Sequence, residues 1–269
     1  ISELMHLETV GELIDFISMA QDELNDDVDL LPPFPAEQRR LSSHDWEGKR
    51  HPITLAQKNI LISQFLSRER NGEWNIAIAR WIEGPIETSL IESALSEVIA
   101  NHSGLRTKFY REGSQSFTQE VVSRPPPNTF FEFPASSDEE ALLLAKAQVD
   151  APLDVTEGVL RIRVIRRSPT RLLLLIVVHH AVSDGLSVGI IMRALWSSLK
   201  GALDYENDTT DQGQSPAQQI DAAYWEQEDL ESNRWGQAVE YWRGRLSRPL
   251  PKIRPPKELR TRAFGGSFV

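Results

Sequence analysis

The sequence contains no cysteine. That excludes disulfides, thiolate nucleophiles and cysteine zinc sites, and leads to the expectation of a reducing, cytoplasmic setting. Long apolar runs are also missing. The longest, Leu172 to Val178, is strand length and far short of the roughly 18 residues a membrane span needs. Basic charge is in deficit: 29 Lys and Arg stand against 39 Asp and Glu, a net charge of −10. Such a surface repels nucleic acid and anionic membranes. The N-terminus opens Ile-Ser-Glu-Leu without the basic region of a signal peptide. It does not begin with Met, and the chain ends mid-pattern at Gly-Gly-Ser-Phe-Val. Both lead to the expectation of a piece of a longer protein.

What is present suits a folded, core-forming chain: 269 residues, 40% hydrophobic and 25% charged, ordinary values for a globular protein. Residues 1–20 read as a short amphipathic helix, with Leu13, Ile14, Phe16 and Ile17 apolar at near-helical spacing. Residues 21–50 change character, acidic first, then Pro-Pro-Phe-Pro, then mixed charge, and read as an interdomain linker. The main domain is expected from 51. Thr54 caps a predicted helix from Leu55 to about Leu66. Asn75 to Glu83 alternates as a strand. Ile86 to His102 is a predicted helix, with Leu90, Ile91, Ala94, Leu95, Val98 and Ile99 on one face. Leu105 to Tyr110 and Ser116 to Val122 read as strands, followed by a Pro125-Pro126-Pro127 loop. Ser137 with Glu140 is a capping box for a helix ending near Asp150.

Val159 to Ile165 reads as a half-buried strand with Arg161 and Arg163 facing away from the core. Arg171 to His179 holds a continuous Leu/Ile/Val run, which suits a strand covered on both faces. A helix from about Leu186 to Lys200 follows, then a polar, acidic loop at 203–215. Helices from Ala217 to Leu230 and from Arg234 to Leu246 precede a Pro- and Arg-rich tail. No internal repeat is visible. Helices alternating with strands predict an α/β sandwich with a mixed sheet flanked by helices.

One cluster concentrates chemistry: His179, His180, Ala181, Val182, Ser183, Asp184 and Gly185. Two histidines sit where a buried strand ends and a turn leads into a helix, the place where open α/β sheets put their chemistry. A histidine there is a candidate base, since its ordinary pKa is about 6.5. Gly185 permits a tight turn and close approach to a ligand. Asp184 is the carboxylate that holds the turn or an ion-pair partner. The simplest reading is a His-His pair that ends a strand and bonds to nearby backbone. A metal site is disfavoured, because adjacent strand residues point to opposite faces and do not readily share one ion. No metal is expected.

His-His-Ala-Val-Ser-Asp-Gly resembles the HHxxxDG signature of the condensation-domain superfamily of non-ribosomal peptide synthetases, which includes chloramphenicol-acetyltransferase-like enzymes. Thr54-Leu55-Ala56-Gln57-Lys58 is similar to the family's S-x-A-Q motif. Leu105-Arg106-Thr107-Lys108-Phe109 is similar to its LRTxF stretch. Pro152-Leu153-Asp154-Val155 with Gly158-Val159-Leu160 resembles pFDL…GPLLR, Asp221-Ala222-Ala223-Tyr224-Trp225 resembles DYAxW, and Tyr241-Trp242 resembles the segment leading to the second lobe. The matches run in order over 52–269. The chain departs at Asn101-His102-Ser103, where Arg-His-Glu is usual, at Lys108, where Arg is common, and at Leu186, where a Trp often follows the signature.

The resemblance implies the N-terminal lobe of a chloramphenicol-acetyltransferase-like fold over 51–269, running into the start of a second lobe. It implies peptide-bond formation between a donor thioester and an acceptor aminoacyl thioester, both carried on phosphopantetheine arms of carrier proteins, with no cofactor held by the domain itself. His180 is then the candidate catalytic residue and the Gly185 amide a contact near the reacting centre. His179 supports the loop, and Asp184 pairs with Arg106 to hold it. His102 is expected to cap a helix, and His6, His44 and His51 are assigned no role. Retention of both histidines argues for condensation rather than cyclisation, with epimerisation a minor option. Leu7-Glu8-Thr9-Val10-Gly11-Glu12-Leu13 resembles the last helix of a carrier protein. The alternatives are a coenzyme A-dependent acyltransferase of the same superfamily and a non-catalytic, condensation-like recruitment domain.

Overall fold

The computed structural model describes residues 47–67, 72–113, 116–202, 217–232 and 236–247. The predicted helix at 1–20, the linker up to 46, the 203–215 loop and the Pro/Arg tail lie outside them. Among the described residues, helices α1 (Leu55–Leu66), α2 (Thr88–Asn101), α3 (Asp138–Asp150), α4 (Gly185–Ala202), α5 (Gln219–Glu231) and α6 (Gly236–Leu246) alternate with strands β1 (Asn75–Glu83), β2 (Thr107–Arg111), β3 (Phe117–Val121), β4 (Phe130–Pro134), β5 (Leu160–Ser168) and β6 (Arg171–His179). The main sheet runs β1-β6-β5-β4, and β2 and β3 form a separate hairpin. β6 is antiparallel to both its neighbours, whereas β5 and β4 are parallel, so the sheet is mixed as expected.

The apolar run in β6 dictates the layering. Leu172, Leu174, Ile176 and Val178 pack with Ile91, Leu95 and Val98 of α2 and Ile191, Leu195 and Leu199 of α4. Leu173, Leu175 and Val177 face the other way, onto Ala141 and Ala145 of α3. A strand at period 2 with apolar residues on both faces needs a helix layer on each side. Burial of each such side chain contributes about 1.5–3 kcal/mol.

The caps follow from sequence with one shift. Thr54 and Gln57 form the reciprocal capping box of α1. At α3, the Ser137 hydroxyl accepts from the Glu140 amide at 3.1 Å, but the Glu140 carboxylate turns back to Ser136, one residue earlier than the box requires. Two expectations are corrected. Residues 103–106 form a 3-10 turn instead of the start of a strand, so β2 begins at Thr107. Arg163 is buried, because its guanidinium donates to the carbonyls of Thr129 and Ile162 and to the Gln148 side chain. Burial, then neighbouring Arg161, pulls its pKa down to about 10. β4 was not foreseen: a five-residue edge strand between prolines carries little signal.

Residues 47–51 run along the hairpin, with bridges from Glu47 to Val121 and from His51 to Gln119. Pairing thus begins inside the stretch expected as linker.

Candidate active site

β6 ends at His179 beside β1 and β5, and only five residues separate it from α4. The strand's alternation sends the two histidines to different environments. His179 is fully buried. Its Nδ1 accepts the Ala181 amide at 3.1 Å, so the ring proton sits on Nε2, which has no partner among the described residues. Burial first, and the nearby His180 second, lower its pKa to about 4. His179 is therefore neutral at ordinary pH, and its bond to the Ala181 amide braces the loop from inside.

His180 is exposed. Its Nδ1 lies 2.9 Å from the Ser183 carbonyl. A carbonyl only accepts, so Nδ1 carries a proton, and in the neutral ring it is Nε2 that keeps the lone pair. That tautomer is the one a general base needs. His180, Ser183 and Gln57 line a cavity of about 610 Å³, together with His102 and the start of α5. The histidine predicted to meet the substrate is the one that does face a cavity.

Asp184 does not pair with Arg106. It is exposed and forms the N-cap of α4: its carboxylate accepts the Ser187 amide at 2.8 Å and the Ser187 hydroxyl at 2.7 Å, while its own amide donates to that hydroxyl. The Ser187 hydroxyl first, then the Ser187 amide, hold its pKa below the usual carboxylate range. It holds the turn through a helix cap, the other role the sequence allowed. Arg106 is buried elsewhere. It donates to the α2 C-terminal carbonyls of Ile99 (3.1 Å) and Ala100 (3.3 Å), to Val122 (2.6 Å), and to Glu47 (3.0 Å). It ties the end of α2 to the hairpin and to the 47–51 segment. Gly185 is the first residue of α4, and a Cβ placed there meets nothing within 4 Å. It is not required for a turn within this lobe, and its open side is available for close approach.

Several positions that shape the site escaped the sequence reading. Gln219 Nε2 donates to the Ala181 carbonyl at 3.0 Å, and Gln218 Oε1 accepts the Ser103 amide at 2.8 Å, so the start of α5 clamps the signature loop and the α2 corner. His51, assigned no role, is buried and lies 2.7 Å from the Tyr224 hydroxyl. This bond docks α5, and with it the Asp221–Trp225 motif, against the start of the domain. Asp221 is buried and accepts the Gln218 amide as the reciprocal half of the α5 capping box. Trp74 packs its ring 6.2 Å from the His180 ring. His102 ends α2 as its C-cap, and burial lowers its pKa. Among the described residues, no group of three or more His, Cys, Asp or Glu could hold a metal ion.

The family model described as Condensation domain matches residues 48–268. The chain belongs to the condensation-domain family. Curated relatives include phosphinothricin tripeptide synthetase PhsC of Streptomyces viridochromogenes, 30% identical over 76% of this chain and 19% of that protein. A linear gramicidin synthase of Brevibacillus parabrevis is 25% identical over 95% of this chain and 5% of its own length. Among solved structures, the condensation domain of the monacolin K polyketide synthase MokA aligns with a TM-score of 0.62 at 22% identity, covering 77% of this chain and 45% of that one. The X-domain in complex with OxyB from teicoplanin biosynthesis aligns at 0.68 and 21% identity, covering 81% and 47%. This condensation-domain chain thus spans a small fraction of its curated relatives and about half of the solved chains.

Proposed function

We propose that the chain supplies the histidine-bearing lobe of a domain that joins a donor acyl or peptidyl thioester to an acceptor aminoacyl thioester. The observation that carries this reading is the His180 ring: in a chain of this family, its Nδ1–H is held by the Ser183 carbonyl, its Nε2 has no hydrogen-bond partner among the described residues, and the residue lines a cavity of about 610 Å³. The acceptor amine attacks the donor carbonyl. A C–N bond forms, the C–S bond breaks, and the thiol of the donor arm leaves with a proton. His180 Nε2 takes the proton the amine must lose, or orients the amine and stabilises the charged intermediate. The Gly185 amide, at the open start of α4, contacts the reacting centre.

Both substrates arrive on phosphopantetheine arms, and the domain holds no cofactor of its own. The proposed order is a carrier helix at 1–20, a linker that ends before Glu47, and the lobe, whose pairing begins at Glu47 rather than at 51. A second condensation lobe and neighbouring synthetase domains are the further partners, in the cytoplasm. Among the described residues no helix is long and apolar enough to cross a membrane.

The test uses the full synthetase module with both carriers loaded. Proton transfer by a placed side chain is worth about 10²–10⁴ in rate, so H180A should lose at least about a hundredfold of peptide product by mass spectrometry. Unchanged product would remove His180 from the chemistry and favour a recruiting role. Turnover of an acyl coenzyme A donor, with no need for a donor carrier, would favour the acyltransferase alternative.

A further inference from the structure

We infer that Trp74 is a positioning residue for His180, an inference that rests on the reading of His180 as the group that meets the amine. The pairing of β1 with β6 aligns Asn75 with His179. One step further, the His180 amide donates to the Trp74 carbonyl at 2.8 Å, so residues 74 and 180 face each other across the ladder. Opposed residues of an antiparallel pair project to the same side. The indole therefore lies against the imidazole, with ring centroids 6.2 Å apart and a tilt of 46°.

His180 needs this second contact. It is exposed, and its own loop holds the ring by the bond from Nδ1 to the Ser183 carbonyl. One hydrogen bond fixes the tautomer but leaves the ring free to swing about it. A flat neighbour with its ring centre 6.2 Å away limits the swing, and it keeps Nε2 aimed from turnover to turnover. Trp74 also lines a separate cavity of about 570 Å³, with Leu61, Phe109 and Val155.

The support beneath Trp74 is unusually firm. The Asn75 side chain donates to the carbonyls of Val149 (2.7 Å) and Ala151 (2.9 Å) at the end of α3. The Asn75 amide closes a turn onto the Gly72 carbonyl at 2.9 Å. At Gly72 the backbone passes so close to α3 that a Cβ would stand 2.1 Å from the Val149 oxygen. The segment carrying Trp74 is fastened to α3, and only its indole and carbonyl reach toward the signature loop.

The experiment compares Trp74 variants in the full module with loaded carriers, alongside H180A. W74A is expected to lower the rate at saturating carriers by about ten- to a hundredfold with the KM for both carriers unchanged, and W74F to restore it to within about threefold. W74L, which keeps apolar volume without a flat ring, serves if W74A melts early, and is expected to resemble it. In the H180A background, W74A should cost nothing further, because a positioning residue acts through the group it positions. Three results would overturn the inference: a W74A rate within twofold of the parent, a loss expressed in KM alone, or the same fold-loss with and without His180. If H180A itself retains full product, the reading of His180 has failed and the positioning role falls with it. If H180A is inactive and W74A is not, only the positioning role falls.

Discussion

Position 179 holds a histidine that burial keeps neutral, and the consequence is a pH-dependent fold. Its pKa is lowered to about 4 in the folded protein, against about 6.5 in an unfolded chain. Between those values the unfolded state binds the extra proton, so stability is fully present above about pH 6.5 and is lost as pH falls toward 4. The loss attributable to this group at pH 5, relative to pH 7.5, is about 2 kcal/mol. Urea unfolding at the two pH values measures it. H179Q, which removes the titrating ring, should flatten that part of the dependence. An equal pH dependence in parent and variant would assign the effect to other groups.

The separation of Asp184 from Arg106 makes a second prediction on the same scale. Asp184 is an exposed helix cap, so D184A should cost about 1 kcal/mol. Arg106 is buried against four acceptors among the described residues. R106M leaves several of them unsatisfied and should cost about 3 kcal/mol. Asp184 touches none of those acceptors, so the double variant should be additive within about 0.5 kcal/mol. A coupling energy well above that value would restore the ion pair. Gly185 completes the set: a Cβ meets nothing there, so G185A should leave the melting temperature unchanged. Any loss of rate it causes then reports on the substrate side of α4.

At the scale of elements, most of the architecture was legible because each element states its own pattern. The two-faced apolar run of β6, the one-faced stripe of α2 and the Thr54 cap of α1 are local signals with one structural solution each. Arg163 misled because its neighbours in sequence alternate, while its burial depends on carbonyls supplied by residues 129 and 162 and on the Gln148 side chain. β4 misled for the opposite reason: its partner, β5, supplies the reason it is a strand. At the site, His180, His179 and the turn-holding side of Asp184 were readable from seven consecutive residues. Trp74, His51 and Gln219 were not, because each acts on residues that are remote in sequence. The equal lengths of β1 and β6, nine residues each, were the one available hint that residue 74 would stand opposite residue 180. Gly72 offers the matching test. Since its Cβ would overlap the Val149 oxygen, G72A should destabilise the lobe by about 1–3 kcal/mol, the usual cost of overpacking. A melting curve reads the loss as a drop of several degrees. No change in the curve would mean that the segment before β1 yields easily and is not a firm mount.

On the scale of the whole molecule, the surface around the site includes exposed apolar side chains. The cavity beside His180 runs along the first turns of α4, where Leu186 is 81% and Ile190 53% exposed. Apolar side chains so exposed beside a candidate active site suit a surface that is covered in the working enzyme. A tetrahedral intermediate is stabilised far better by fixed dipoles in a site that excludes water than in one open to it. The 269-residue chain, given loaded donor and acceptor carriers, is therefore expected to form no more peptide than the H180A module does, even though its His180 is intact and its tautomer set. Product quantified by mass spectrometry against the full module decides the point. A rate within about tenfold of the full module would mean that enclosure contributes little, that the histidine and its loop suffice, and that the exposed face of α4 serves something other than covering the reaction.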